Sequence, residues 1–253
     1  MDLGLAGKRA LITGGSAGIG LAIARALAAE GAAVAICARD RARLAEAAAG
    51  LGGVGVVADV TDPDALGRAV DESAERLGGL DLLVANAGGS AGGGLLESTP
   101  QDWARTFELN VLHAAHAVRR AVPHLPSGGS VLIISSITGW KAGPKSSYAA
   151  AKAAEIHLAA VLAQELAGRG VRVNALSPGS VLFEGGGWDR FRTAHPERFA
   201  AFEREDFPAG RLVTAEEVAD TACFLLSPRA SGINGANVPV DGAQDHPSAA
   251  RLF

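Results

Sequence analysis

Residues 9–20 read RALITGGSAGIG. The apolar run from Arg9 to Thr13 predicts a buried strand, which breaks at once into glycines and resumes as a helical pattern. Gly14 permits a tight turn, Gly18 lets the backbone approach a pyrophosphate, and Gly20 lets helix and strand pack closely, with the helix N-terminus facing the negative charge. A glycine pattern alone is a weak signal. Between a strand and a helix it reads as the phosphate-binding turn of a dinucleotide-binding α/β domain.

The pattern continues outward from this stretch. Further strands are predicted at 33–38, 54–58, 81–85, 130–135, 171–176 and 236–240, which makes seven with the first. Helical patterns lie between them at about 18–30, 40–50, 62–77, 100–122, 148–168 and 214–226, with Asp40, Asp62 and Thr214 placed as N-caps. Strands alternating with helices predict a doubly wound parallel sheet, helices on both faces. No linker or internal repeat divides the chain, so residues 1–253 are expected to form a single Rossmann-type domain. A glycine-rich connection at 88–94 follows a strand's C-terminal end, where ligands sit in such sheets. The stretch 179–213 carries Trp188, Phe191, Phe199, Phe202 and Phe207, is longer than a packing connection needs, and reads as a substrate-covering lid.

Composition narrows the function. With 23 Lys and Arg against 27 Asp and Glu, the net charge of −4 lacks the basic balance of a nucleic-acid binder. Cys37 and Cys223 have no metal-ligand spacing and no disulfide framework, which fits a reducing cytoplasm. No run of about 18 apolar residues suggests a membrane span, and the first residues do not resemble an export signal. His113 and His116 are spaced i, i+3 but have no third ligand nearby; they read as packing or surface groups, and no metal is expected.

Beyond the glycine turn, Asp59 ends the third strand and Asn86-Ala87-Gly88 ends the fourth. With ThrGlyGlySerAlaGlyIleGly at 13–20, Asn110, SerSer at 135 and 136, TyrAlaAlaAlaLys at 148–152, ProGly at 178–179 and ValAspGly at 240–242, the chain resembles a short-chain dehydrogenase/reductase over essentially its whole length. Members of the 3-oxoacyl-acyl-carrier-protein reductase type are the nearest in kind. The resemblance implies cofactor contacts at Gly14, Ser16, Gly18, Ile19, Gly20, Asn86, Ala87, Gly88, Tyr148, Lys152, Pro178 and Gly179, and an adenine held by Asp59 and Val60. An acid ending the second strand would pair with the ribose 2′-hydroxyl of NAD, whereas an arginine attracts the 2′-phosphate of NADP. Here Ala38 stands where NAD-preferring relatives place that acid, and Arg39 follows it. NADP is therefore expected, with NAD as the other possibility.

Tyr148, the chain's single tyrosine, and Lys152 are four residues apart on one helix and so share a face. An ammonium beside a phenol favours its ionised form, giving an acid/base usable near neutral pH. Ser136 is followed three residues later by Gly139, as in the family's Ser-x-x-Gly, but leaves 11 residues before Tyr148, where Ser135 would leave the usual 12. Ser136 is preferred because the glycine fixes the strand exit; the other serine would cap strand-end backbone groups. Asn110 resembles the family's fourth catalytic residue and would hold a water joining Lys152 to solvent. These residues imply hydride transfer between NADP(H) and a carbonyl or secondary alcohol, with Tyr148 moving the proton. A 3-oxoacyl-thioester reductase and a non-catalytic dinucleotide sensor are the alternatives. Relatives commonly carry a threonine where this chain has Phe183, so Ser180 or backbone groups would anchor the carboxamide, or Phe183 would line the pocket. The lid's aromatics suggest an apolar substrate. The helix from Tyr148 to Gly168 has almost no polar face and is expected to be buried all round. Pairing through it and through the helix at 100–122, with a second contact from the C-terminal strand and the tail 243–253, predicts a homotetramer.

Overall fold

A computed structural model describes residues 2–245. Its strands and helices run β1 Arg9–Thr13, α1 Gly18–Ala29, β2 Ala33–Ala38, α2 Arg41–Leu51, β3 Val54–Val57, α3 Pro63–Leu77 and β4 Leu82–Ala85 in the first half. The second half holds α4 Pro100–Phe107, α5 His113–Ala121, β5 Ser130–Ile134, α6 Ser146–Ala167, β6 Arg172–Pro178, β7 Val181–Leu182, α7 Gly187–Ala194, α8 Pro196–Asp206, β8 Val213–Thr214, α9 Ala215–Leu226 and β9 Asn237–Val240. Seven strands form one parallel sheet in the order β3-β2-β1-β4-β5-β6-β9. All seven strands expected from the sequence are present. The order reverses between β1 and β4, and the crevice at the C-terminal ends of these two strands is where such sheets bind ligands.

The period-2 alternation of the strands divides the interior into two cores. Ile12, Ile36, Val84, Leu132 and Leu176 point to one face and pack with Ile23 and Leu27 of α1 and Val218 and Ala222 of α9. Leu11, Cys37, Leu83, Ile133 and Ala175 point to the other and pack with Val70 of α3, Val118 of α5 and Ala159 of α6. Cys37 and Cys223 are free and buried. Burial pushes the Cys37 thiol up to about 12, which makes it an inert packing group.

The expected caps form. Asp40 accepts from Ala42 N and Arg43 N, both at 3.1 Å, and Asp62 accepts from Asp64 N at 2.9 Å and Ala65 N at 3.1 Å. Thr214 and Glu217 make a reciprocal capping box, at 3.2 Å and 2.9 Å. None of the described helices is long and apolar enough to cross a membrane.

The structure adds detail to three expectations. The helix expected over 100–122 is present but irregular: α4 runs to Phe107, five residues from Glu108 to Leu112 take a π-helical turn, and α5 continues from His113. Within the chain helix α6 buries one face, the one expected to pack on the sheet. Its buried residues are Ser147, Ala151, Lys152, Glu155, Ala159 and Ala163, a single stripe that includes two charges, while Val161 is exposed. The lid aromatics face each other: Trp188 stacks on Phe202 at 4.5 Å, and Phe199, Phe202 and Phe207 are buried in a small core of their own. Most of the tail expected to make a second subunit contact, residues 246–253, lies outside the described residues.

Candidate active site

The turn after β1 is held from β4. Asn86 Nδ2 donates to Thr13 O at 2.8 Å and Gly14 O at 3.2 Å. Thr13 Oγ1 accepts from Asn86 N at 2.9 Å and Ala87 N at 3.1 Å, and lies 2.9 Å from His113 Nε2. Burial and the nearby Lys152 charge push His113 down to about 3, so its imidazole is neutral and can accept the threonine proton. Glycine is required at position 20, where a methyl group would stand 2.4 Å from Asn86 Nδ2 and 2.5 Å from Gly14 O. Gly18 adopts φ +53°, in the left-handed region, and the Phe183 ring lies directly over it, its Cζ 2.9 Å from where a Cβ would stand.

Of the expected cofactor residues, Gly14, Ser16, Arg39, Val60, Asn86, Ala87 and Gly88 line one cavity of about 810 Å³, together with Ala38, Asp40 and Arg43. Gly18 lines the adjoining cavity with Phe183. Ile19 and Gly20 follow in the first turn of α1, whose N-terminus opens onto the turn. The donor set suits a nucleotide with a 2′-phosphate. Asp40 has its carboxylate engaged in capping α2, while Arg39 and Arg43 bring two guanidinium groups to the cavity beside Ser16. Arg39 stands 3.7 Å from Asp59, whose Oδ1 accepts from Thr61 N and Oγ1. Burial pushes the Asp59 carboxyl up, but the Thr61 hydrogen bonds and the Arg39 and Arg105 charges outweigh it and hold the group below its ordinary value. Arg43 had no separate signal in the sequence beyond its place in the first turn after the cap.

The second group of residues meets at the start of α6. Lys152 Nζ lies 5.5 Å from the centre of the Tyr148 ring and donates to Ile134 O at 2.9 Å. Ser135 is buried and its hydroxyl donates to Lys152 O at 2.8 Å, fixing the helix to the end of β5. Ser136 is half-buried and its Oγ accepts only from Thr138 N, at 3.2 Å, which leaves its proton free to donate. Asn110 is fully buried in the π-helical turn, where Nδ2 donates to Gly89 O at 2.7 Å and Thr106 O at 2.6 Å. Its Oδ1 and Lys152 Nζ both crowd Gly88: a methyl group there would stand 2.8 Å and 3.2 Å from them. Pro178 and Gly179 close the far side at the end of β6, beside Val240 of β9. Ser180 is buried and tied to Gln244: its N donates to Gln244 Oε1 at 2.8 Å and its Oγ accepts from Gln244 Nε2 at 3.0 Å.

The sequence reading missed Glu155. Its Oε2 lies 2.8 Å from Lys152 Nζ, and the side chains are 2% and 4% exposed. Burial opposes charge on Lys152, but the negative charge of Glu155 and Tyr148 outweighs it and holds the ammonium above its ordinary value. Burial also pushes Glu155 up, against the opposing pull of Lys152 and Ser135. An acid three residues after the lysine, on the same face of an otherwise alanine-rich helix, was the available signal.

Comparison with known proteins gives the family. The chain matches, over residues 14–243, the family model adh_short_C2, described as enoyl-(acyl carrier protein) reductase. The protein belongs to the short-chain dehydrogenase/reductase family and is an oxidoreductase of that class. It is 36% identical over 255 residues to isoepoxydon dehydrogenase of Penicillium expansum, covering 96% of each chain. Among solved structures, a short-chain dehydrogenase of Burkholderia cenocepacia in complex with NADP aligns with TM-score 0.84 and 36% identity, over 94% of this chain and 98% of that one. The L-sorbose reductase of Gluconobacter frateurii, complexed with NADPH and L-sorbose, aligns with TM-score 0.88 and 32% identity, over 96% and 98%.

Proposed function

We propose that this protein is an NADP(H)-dependent reductase or dehydrogenase that interconverts a carbonyl and a secondary alcohol, with Asn110, Ser136, Tyr148 and Lys152 as its proton-handling set. The observation that carries this reading is the convergence of Tyr148, Lys152 and Asn110 beside Gly88, at the rim of a cavity bearing Arg39 and Arg43. Gly14, Ser16, Gly18, Ile19 and Gly20 would hold the pyrophosphate side, Asp59 and Val60 the adenine, Arg39 and Arg43 the 2′-phosphate, and Asn86 to Gly88, Lys152, Pro178 and Gly179 the nicotinamide ribose side. The complexes of the Burkholderia and Gluconobacter relatives with NADP and NADPH support the same cofactor here.

When bound, the nicotinamide supplies the hydride. In the reducing direction the free Ser136 hydroxyl donates a hydrogen bond to the substrate oxygen as charge grows there, and Tyr148 gives that oxygen its proton. The Lys152 ammonium then restores the proton to Tyr148 and is itself reprotonated from solvent through a water held at Asn110. Oxidation runs the same steps backwards. For the expected apolar substrate, Phe199, Phe202 and Phe207 are taken up by a core of their own, which leaves the partly buried Trp188 and Phe191 as the aromatics able to face it. The Gluconobacter relative, complexed with a sugar, favours testing polar ketones as well.

The test is NADPH oxidation, followed at 340 nm, across ketones, hydroxyketones, sugars and 3-oxoacyl thioesters. Tyr148→Phe should reduce turnover at least about a thousandfold while NADPH still binds. Tight NADPH binding with no turnover on any compound would favour a dinucleotide sensor instead. A homotetramer remains our proposal for the assembly, supported by exposed Val161 on the outer face of α6 and exposed Leu112 in the π-helical turn. A monomeric mass by light scattering would reject it. Two buried free thiols suit the reducing cytoplasm we assign.

A further inference from the structure

The Lys152–Glu155 pair sits in a run of alanines, Ala149 to Ala151 before the lysine and Ala153 and Ala154 after it. A buried carboxylate and ammonium each cost several kcal/mol to desolvate, and a well-packed apolar residue is commonly as stable as such a pair or more so. Packing gives no reason for an acid here. Helix α6 is already fastened to β5 by Ser135 through the Lys152 carbonyl. What Glu155 adds is a countercharge 2.8 Å from an ammonium whose other protein acceptor is the Ile134 carbonyl. With two of its three protons so directed, Lys152 keeps one for the Tyr148 side.

The groups facing the pair are few. Tyr148 lies one turn back on α6, His113 approaches from α5 and stays neutral, and the π-helical turn brings the uncharged Asn110 amide. From the end of β5 come the Ser135 hydroxyl and the Ile134 carbonyl. Apart from Glu155, nothing among them carries a standing negative charge while Tyr148 is protonated. A lysine buried to this depth without such a charge tends to lose its proton.

We propose that Glu155 is a positioning residue that keeps Lys152 an ammonium, its buried carboxylate supplying the countercharge and one of the two protein acceptors that hold the lysine charged. Its meaning for catalysis rests on the proposed function, but its test requires neither substrate nor turnover. Melting temperature is measured from pH 6.5 to 9.5 for the wild type, Glu155→Gln, Glu155→Asp and the double variant Lys152→Met/Glu155→Gln. In Glu155→Gln the native state would release the lysine proton that the unfolded chain still holds, so its stability must rise with pH across this range. The melting temperature of Glu155→Gln relative to wild type should therefore climb by at least about 3 °C from the acidic to the basic end. Glu155→Asp, which keeps the charge, and the double variant, which lacks the lysine, should stay flat. A constant loss at every pH in Glu155→Gln, or the same slope in the double variant, would overturn the proposal. If Glu155→Gln does not fold, folding of the double variant supports the proposal and its failure rejects it.

Discussion

Replacing Arg39 with alanine tests the cofactor assignment without any knowledge of the substrate. The side chain is 64% exposed and its partner Asp59 is 3.7 Å away, so the pair itself adds little stability. Asp59 keeps its two Thr61 hydrogen bonds when the guanidinium is gone, so the wall of the cavity should stand. The loss then falls on whatever anion the guanidinium holds. A unit charge pair at about 4 Å is worth about 1 kcal/mol in water and about 4 at an effective dielectric of 20. At this half-open rim, with a doubly charged phosphate shared with Arg43, we take about 2 kcal/mol, or about a thirtyfold weaker NADPH complex. NADH has no 2′-phosphate and should bind wild type and Arg39→Ala within about twofold. Dissociation constants for both cofactors by calorimetry or tryptophan fluorescence decide the matter, and raising the salt should shrink the NADPH difference. Equal weakening of NADPH and NADH by Arg39→Ala would refute the 2′-phosphate argument, as would equal affinity of the wild type for the two.

Two further outcomes are expected. Ser136→Ala should lower kcat about a hundredfold or more with cofactor affinity kept, whereas Ser135→Ala should lose about 1 kcal/mol of stability, because its buried hydroxyl holds the Lys152 carbonyl; the reverse pattern in steady-state kinetics would exchange their roles. Glu217 is held down to about 2 by Arg211 and by the Thr214 backbone. Its contribution is therefore complete above the unfolded value near 4.5 and is lost as pH falls toward 2. With the side chain 40% exposed, screening limits this to about 1 kcal/mol, and Glu217→Gln should flatten the acid side of the stability profile; an unchanged profile would contradict the assignment.

The sheet was legible because its strands are short apolar runs bounded by glycine, aspartate and serine, and the starts of α2, α3 and α9 carry Asp40, Asp62 and Thr214 as caps. Asp40 illustrates how far such local chemistry reaches, since its Oδ1 caps α2 while the residue also lines the cavity beside Arg39 and Arg43. The stretch 179–213 was legible as a long connection but not in its use of aromatics. Composition gives the same five rings whether they face a substrate or one another, and only the stacking of Trp188 on Phe202 shows which. The irregularity at Asn110 was half visible, in an asparagine placed inside a helical pattern, but the π-helical geometry that lets its amide reach Gly89 was not.

Helix α6 shows what composition leaves out. Counted by composition it is largely apolar on every side, which predicts one face on the sheet and another against a second subunit. Within the chain burial follows the helical period, and one stripe joins Ser147, Ala151, Lys152, Glu155, Ala159 and Ala163. Taken at positions three and four apart, the lysine expected to serve Tyr148 shares its face with an acid and with the alanines that let the helix approach the sheet. The small residues and the charges depend on one another. Close approach is what excludes water from Lys152, and exclusion of water is what makes the countercharge of Glu155 necessary.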